Sequence, residues 1–357
     1  MPLTNFYDTP KPLPAGKPGE LIRSEPADEY YLSADFSAFR ILYHSRSATG
    51  QDVAASGVVL VPSGTPPAGG WPVIAWAHGF SGGGRQCAPS LLRNLYYGPF
   101  LSMYVDLGYA VVATDYTGLG TDFRNAVMDL PSDATDVIDS IPAAHMTVTQ
   151  LGPKWVAMGP SLGANVALAV AEEEHGLHDS DYLGSIAISG IADLQDIYSH
   201  PTTEKSVGML AFVAYTLKTV YPGFDISNML TEKALPRYHE IDEDCGSSVN
   251  SGGLSANQML NGKWKDDEFV KKFFGRNALG QKPARGPLLV IGNGDDSEGL
   301  PAMTDQTVDR MCKQGDRVDL DKFFDPQPGL VIGDSVRDQM AWIGARFAGR
   351  SAPDNCR

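Results

Sequence analysis

The sequence predicts an α/β protein in which helices cover both faces of a mostly parallel sheet. Short apolar runs alternate with helical patterns along most of the chain. These runs are Val73–Ala77, Tyr109–Thr114, Trp155–Met158, Ser185–Ile188 and Pro287–Ile291. Such runs are typical of strands buried on both sides, and their alternation with helices is typical of a parallel sheet. Ahead of them, Phe39–His44 and Val53–Val61 flank a polar turn, which predicts a hairpin that opens the sheet.

Two segments depart from this alternation. The first 20 residues contain five prolines, which favour an extended arm over a helix, and we assign residues 1–35 to this arm. Between Ile191 and Arg285 the alternation stops, and the chain contains a helical apolar stretch and a glycine-rich polar region. We interpret residues 192–285 as an inserted cap or lid, with the alternative that they only thicken the core. Residues 36–191 and 286–357 then form the core.

The composition limits the function classes that fit the chain. Its 357 residues, 43% of them hydrophobic, are enough to bury a large core. A net charge of -15 argues against a nucleic-acid partner, which requires a basic surface. No apolar run reaches the roughly 18 residues of a membrane span, so we expect no integral membrane segment. The first residues lack the features of a signal peptide, so we expect either that none is used or that one precedes this sequence.

The four cysteines do not form a recognisable metal or redox motif. Cys87, Cys245, Cys312 and Cys356 are far apart, and none belongs to a C-x-x-C pair. We therefore expect no metal and no other cofactor. The even count fits two disulfides in an oxidising compartment, and it fits four buried thiols equally well.

The clearest chemical motif is Gly159-x-Ser161-x-Gly163. A strand-like run, Lys154–Met158, precedes it, and strong helix formers follow it from Leu162 to His175. This strand-turn-helix context is what a nucleophile elbow requires, because the glycines leave room for the strained turn that exposes the serine. We therefore predict that Ser161 is a nucleophile. The alternative is a serine that only caps a helix.

Two further elements of a hydrolase site can be placed by their order in the chain. The oxyanion would be bound by the amide of Leu162 and by the glycine-rich loop Trp76–Gly84, in which Gly79 and Phe80 are the candidate donors. This loop could also be an ordinary turn.

The acid should follow a late strand, and the turn after Pro287–Ile291 carries Asp295 and Asp296. Spacing alone does not decide between these two aspartates.

Several short motifs in one order resemble the secretory lipases typified by fungal lipase A and its actinobacterial relatives. These motifs are Trp76–Gly79, Cys87–Ser90, Asp115–Gly120, the elbow, the Asp296 turn, Cys312 with Gly315, and Trp342–Phe347 before Cys356. The resemblance spans nearly the whole chain. It implies an α/β-hydrolase fold, a helical lid, a Ser-Asp-His triad acting on lipid and other carboxylic esters, and a secreted protein. A cytoplasmic location is the alternative.

The resemblance also assigns particular residues. It implies the disulfides Cys87–Cys245 and Cys312–Cys356, the nucleophile Ser161, and Asp296 in preference to Asp295 as the acid. In the family a histidine follows a Pro-Gly near the C-terminus, but here that segment reads Pro328-Gly-Leu-Val-Ile332 and contains no histidine. Ile332 stands about where the imidazole is expected. Phe80 and Pro160 also depart from the residues usual at their positions.

Because all seven histidines precede the acid turn, three hypotheses remain. The first is a serine ester hydrolase that is impaired or altered, or that uses His200 or His239 of the cap as a substitute base; His78 is the weaker candidate. The second is a lyase, cyclase or isomerase that uses the oxyanion loop and a carboxylate without an acyl-enzyme. The third is a binding protein that has lost the chemistry. Loss of a triad member commonly lowers turnover by on the order of 10⁴ to 10⁶.

Overall fold

The computed structural model describes residues 4–190, 194–199, 201, 203–243, 245–246, 250–293, 300–324 and 331–356. Within these residues nine strands form one sheet in the order β1-β2-β3-β5-β4-β6-β7-β8-β9. The strands are β1 Leu21–Pro26, β2 Phe36–Arg46, β3 Asp52–Pro62, β4 Trp71–Trp76, β5 Ala110–Thr114, β6 Leu151–Pro160, β7 Tyr182–Ile188, β8 Leu288–Asn293 and β9 Val318–Phe323. The predicted α/β class is confirmed.

The sheet changes from antiparallel to parallel at β5. Strands β1, β2, β3 and β5 pair antiparallel, whereas β5, β4, β6, β7, β8 and β9 pair parallel. The predicted hairpin is confirmed as β2 and β3. The prediction that this hairpin opens the sheet is wrong, because β1 precedes it and pairs with β2. Part of the segment predicted as an extended arm is therefore an edge strand.

Strand β9 was not predicted. Its sequence is Val-Asp-Leu-Asp-Lys-Phe, in which the first four residues alternate apolar and charged side chains instead of forming a continuous apolar run. It lies at the edge of the sheet, where only β8 pairs with it. An edge strand is half exposed, so its pattern has a period of two and differs from the buried runs used to find the inner strands.

Helices connect the parallel strands and pack on both faces of the sheet. They are α1 Gly98–Asp106, α2 Leu130–Thr147, α3 Leu162–Leu177, α4 Leu194–Ser199, α5 Glu204–Val220, α6 Leu235–His239, α7 Ala256–Met259, α8 Glu268–Arg276, α9 Leu300–Gln314, α10 Val331–Asp334 and α11 Val336–Phe347. Alternate residues of β4 face opposite ways. Val73 packs in the cluster that contains α2, α3 and α5, and Ile74 packs in the cluster that contains α1, α10 and α11. Two apolar cores therefore enclose the sheet.

Helices α4 to α8 all lie between β7 and β8, in the segment predicted as a cap. Helix α5 is the longest of them, and most of its middle residues are buried. A bridge between Cys87 and Cys245 ties this segment to the loop after β4, and a second bridge joins Cys312 of α9 to Cys356. Both pairings implied by the family resemblance are confirmed. No helix in the described ranges is long and apolar enough to cross a membrane.

The two bridges should contribute differently to stability. They close loops with sequence separations of 158 and 44 residues. Because the entropy removed from the unfolded chain grows with loop length, Cys87→Ala with Cys245→Ala should cost about 1 kcal/mol more than Cys312→Ala with Cys356→Ala. Chemical denaturation of the two double variants measures the difference. A larger loss for the shorter loop would contradict this prediction.

Helix α2 carries three buried carboxyl groups at a spacing of three residues. Asp133, Asp136 and Asp139 are at most 6% exposed. Burial raises the pKa of Asp136 to about 6. Burial and the neighbouring Asp136 raise the pKa of Asp139 to about 7, and burial with the same neighbour raises the pKa of Asp133 well above its usual range. The folded chain therefore holds these protons more tightly than the unfolded chain does.

This difference predicts that the protein loses stability as the pH rises. The unfolded carboxyl group titrates near pH 4, so the free energy of unfolding should fall from there until the pH passes the folded pKa of about 7. Asp139→Asn removes one such group. Between pH 5 and pH 8 it should therefore lose about 2–3 kcal/mol less stability than the unchanged chain. The exposed Asp28→Asn is the control, and equal pH slopes in urea denaturation of all three proteins would refute the prediction.

Candidate active site

Ser161 lies at the turn between β6 and α3, as the motif predicts. Its backbone has φ 55° and ψ -125°, a region that non-glycine residues rarely adopt. The Ser161 amide donates to the Ile188 carbonyl at 3.0 Å, which fixes the turn against the end of β7. The residues on either side, Pro160 and Leu162, are buried, whereas Ser161 is exposed. The turn therefore presents the hydroxyl while its surroundings are packed.

The two glycines of the motif are required by the close approach of β4. A Cβ on Gly159 would lie 2.1 Å from the Ala77 carbonyl oxygen, and one on Gly163 would lie 2.0 Å from the same atom. No side chain fits at that distance. The glycines thus allow the start of α3 to pack directly on the chain that leaves β4.

Leu162, a predicted oxyanion donor, directly follows Ser161 at the start of α3. Leu162 is the first residue of α3, where a backbone N–H has no acceptor inside the helix. The helix dipole adds a partial positive charge at this end. Leu162 also lines the same cavity as Ser161. The turn can therefore offer a donor beside the serine.

The loop after β4 brings the other two candidate donors to the same place. The position of a Cβ on Gly79 lies 3.5 Å from the Ser161 Cβ, and Phe80 lines the cavity together with Ser161. The Phe80 ring packs edge-on against Phe212 of α5, with centroids 5.0 Å apart. The structure thus places Gly79, Phe80 and Leu162 around Ser161.

A tyrosine that no sequence motif indicates also lies at this point. The Tyr97 hydroxyl lies 2.4 Å from the position of a Cβ on Gly79, so only glycine leaves room for it. Burial raises the pKa of Tyr97, and the hydroxyl is therefore protonated at neutral pH. The sequence signal was absent because Tyr97 precedes α1 and reaches the loop only through the fold.

A cavity of about 240 Å³ opens beside Ser161. Its lining is mainly apolar, with polar groups contributed by the start of α5. The lining residues are Phe80, Met128, Ser161, Leu162, Asn165, Leu194, Tyr198, Thr203, Lys205, Ser206 and Met209. Six of these residues come from α4, α5 and the residue before α5, within the segment predicted as a cap.

Asn165 is a buried polar residue in the lining of this cavity. It is 1% exposed, and neither its amide nitrogen nor its carbonyl oxygen has a hydrogen-bond partner among the described residues. It follows Ser161 by four residues on α3, so both lie on one side of the helix. In the sequence, Asn165 is the polar residue in the apolar run Ala164–Ala171, and this run belongs to no catalytic motif.

His78 has a structural role. Its Nδ1 lies 2.6 Å from the Gly79 carbonyl oxygen and its Nε2 lies 3.1 Å from the Asp115 carbonyl oxygen. Its ring stacks on Tyr116 at a centroid distance of 4.2 Å. Burial lowers the pKa of His78 to about 4. The neutral imidazole has one N–H and donates to one of these two carbonyls at a time, and this hydrogen bond with the stacking on Tyr116 ties the ring to the loop.

Among the other candidates for the base, only His239 lies within the described residues. His239 ends α6 on the surface and does not line the cavity. Ile332, on α10, is 6% exposed and belongs to the apolar cluster of α1 and α11, whereas the cavity adjoins the cluster of α2, α3 and α5. Asp295, Asp296 and His200 lie outside the described residues. In the described part of the chain, no three His, Cys, Asp or Glu side chains are grouped to hold a metal.

The secretory lipase family profile matches residues 98–355, which is more than half of the chain. The chain belongs to the secretory lipase family. The chain is similar in structure to Candida antarctica lipase A, with a TM-score of 0.82 and 15% sequence identity over 100% of this chain and 89% of that one. A search of curated protein sequences gives no significant match.

A second solved structure has the same fold. The rice cell wall degrading esterase LipA of Xanthomonas oryzae matches with a TM-score of 0.71 and 16% identity, over 93% of this chain and 98% of that one. At these identities the similarity establishes the fold of the chain and no more. Family and fold together support a lipase-like ester hydrolase.

The contact between Gly163 and Ala77 can be tested within one helix. Gly163→Ala places a Cβ against the backbone and should cost at least about 1–3 kcal/mol, with loss of the elbow geometry. Gly176→Ala, near the other end of α3, meets nothing within 4 Å and should be neutral or slightly stabilising. Urea denaturation of both variants measures the contrast. Equal stabilities would show that the elbow does not need this glycine.

Proposed function

We propose that this protein is a serine carboxylic-ester hydrolase in which Ser161 attacks the acyl carbon. The observation that carries the proposal is the exposed Ser161 at a strained turn, facing a small apolar cavity. The hydroxyl oxygen forms the new acyl bond, the alcohol leaves, and water later releases the acid. The amides of Leu162, Gly79 and Phe80 are the proposed donors to the oxyanion. Asp296, or alternatively Asp295, is the proposed acid of the site.

The missing histidine is the central feature of this proposal. An ordinary triad passes the serine proton to an imidazole, and the sequence after Asp296 contains none. We infer that acylation of Ser161 is impaired or altered, because a serine hydroxyl is a weak nucleophile at its ordinary pKa. The apolar packing of Ile332 supports this inference, since that side chain has no means of accepting a proton.

The cap is proposed to shape the substrate pocket. Leu194 and Tyr198 of α4 and Met209 of α5 lie across the cavity from Ser161 in the segment between β7 and β8. A cavity of about 240 Å³ is small for a ligand pocket, so we propose substrates with short acyl chains. Two disulfides favour an oxidising compartment, and we propose that the protein is exported.

The nucleophile is tested by labelling. A fluorophosphonate should add once to the protein, and intact-mass analysis of Ser161→Ala should show no adduct. Slow labelling is expected because no imidazole activates the hydroxyl. Absence of any adduct on the unchanged, folded chain would count against the hydrolase and favour enolate chemistry by the oxyanion loop and a carboxylate, or simple binding.

The missing base is tested by restoring it. Ile332 does not line the cavity beside Ser161, so α10 has to shift for a new imidazole to reach the serine. If it does so, Ile332→His should raise p-nitrophenyl butyrate turnover by on the order of 10²–10⁴, the usual contribution of a general base. Val331→His is the matched control, because Val331 is the neighbouring buried residue of the same helix and should give no gain. Circular dichroism establishes that both variants fold. If a folded Ile332→His is no faster than the unchanged chain, the idea of a hydrolase lacking only its base is wrong.

A further inference from the structure

We propose that Asn165 recognises a hydroxyl group on the acyl part of the substrate, so that the site prefers hydroxyacyl esters over plain alkyl esters. This inference rests on the proposed function, because it assigns the substrate class of the cavity beside Ser161. Its basis is a buried carboxamide that lines this cavity and has no hydrogen-bond partner among the described residues.

The chemical argument starts from the cost of the unpartnered carboxamide. A buried donor or acceptor without a partner destabilises the folded chain, and Asn165 carries both kinds of group. An apolar side chain of similar size would pack at this position without that cost, as the neighbouring Ala164 and Val166 do. A group that enters the cavity can supply the missing partners.

The position of Asn165 favours contact with the substrate. It lies one helical turn after Ser161, and its carbonyl oxygen is 3.2 Å from the position of a Cβ on Gly190, at the end of β7. Its terminal torsion is soft, so the carboxamide can turn toward a ligand at little cost. Because Ser161 and Asn165 line the same cavity, an acyl chain that is attached to Ser161 and fills this cavity comes close to Asn165.

The surrounding walls narrow the choice of ligand group. Met128, Leu194, Tyr198 and Met209 are buried apolar or aromatic side chains, and the cavity is about 240 Å³. A hydroxyl is the smallest uncharged group that can accept a hydrogen bond from Nδ2 and donate one to Oδ1. Lys205 is the charged side chain among the lining residues, and it is exposed at the start of α5, so a charged group held at the buried Asn165 would lose its hydration. A hydroxyl on a short apolar chain fits both conditions.

The test compares binding of two ligands of nearly equal shape. Ethyl 3-hydroxybutanoate carries a hydroxyl where ethyl 3-methylbutanoate carries a methyl group. Both are titrated against Ser161→Ala, in which no turnover occurs, and the dissociation constants are measured by calorimetry or NMR. The hydroxy ester should bind roughly 5- to 50-fold more tightly, and adding Asn165→Leu should abolish or reverse this preference.

Asn125→Leu is the matched control. Asn125 is also buried, and in the part of the chain that the structure describes its side-chain amide atoms also lack partners, but it does not line the cavity beside Ser161. The preference should survive in this variant. Thermal unfolding provides a second measurement, since Asn165→Leu should not lower the Tm of the ligand-free chain if the carboxamide has no structural partner.

Two binding results would overturn the inference: the two esters bind equally or not at all, or the preference for the hydroxy ester persists in Asn165→Leu. A marked fall in Tm in both Asn165→Leu and Asn165→Ala would also overturn it, because the carboxamide would then have a structural role. The result is separable from the proposed function. Labelling of Ser161 by a fluorophosphonate tests the chemistry, whereas ester binding by Ser161→Ala tests recognition alone. If the protein is not labelled but binds the hydroxy ester more tightly, the inference about Asn165 stands and the proposed hydrolase function is rejected.

Discussion

The close contact between the Ala77 carbonyl and the two glycines of the elbow is the constraint on which the site depends. Gly159 and Gly163 let this oxygen approach to a distance that no Cβ would permit. The contact joins the end of β4 to the start of α3. It therefore places the loop with Gly79 and Phe80 next to Ser161, and these residues could not be adjacent if the helix started farther from β4.

The strain at Ser161 follows from the same packing. The chain must leave β6 and enter α3 within one residue, and the positive φ of Ser161 makes this reversal possible at a cost of about 1–3 kcal/mol. Buried neighbours on both sides hold it there. His78 contributes from the other side of the contact, because its ring nitrogens face two backbone carbonyls and fix the loop that follows β4.

The features that the sequence predicted are the ones whose cause is local. The inner strands are continuous apolar runs, and the elbow is a strand, a turn and a helix in sequence, so both could be read directly. Strands β1 and β9 were missed because each gains its role from pairing with one neighbour at a sheet edge. Tyr97 could not be found for a similar reason, since only the folded chain brings its hydroxyl to Gly79. Asn165 was visible as a polar residue in an apolar helix, but its burial without a partner is a property of packing.

The energetic costs at the site argue that it retains a function. A strained serine and a buried carboxamide with no partner among the described residues each destabilise the folded chain, and a simpler sequence could avoid both. They lie one helical turn apart, beside the same cavity. A scaffold that only maintained its fold would have no use for either, whereas a pocket that orients a polar substrate against Ser161 would use both. Ile332, near the expected place of the histidine, cannot accept the proton of the Ser161 hydroxyl. It therefore limits the chemistry at Ser161, but it does not prevent a substrate from binding in the cavity.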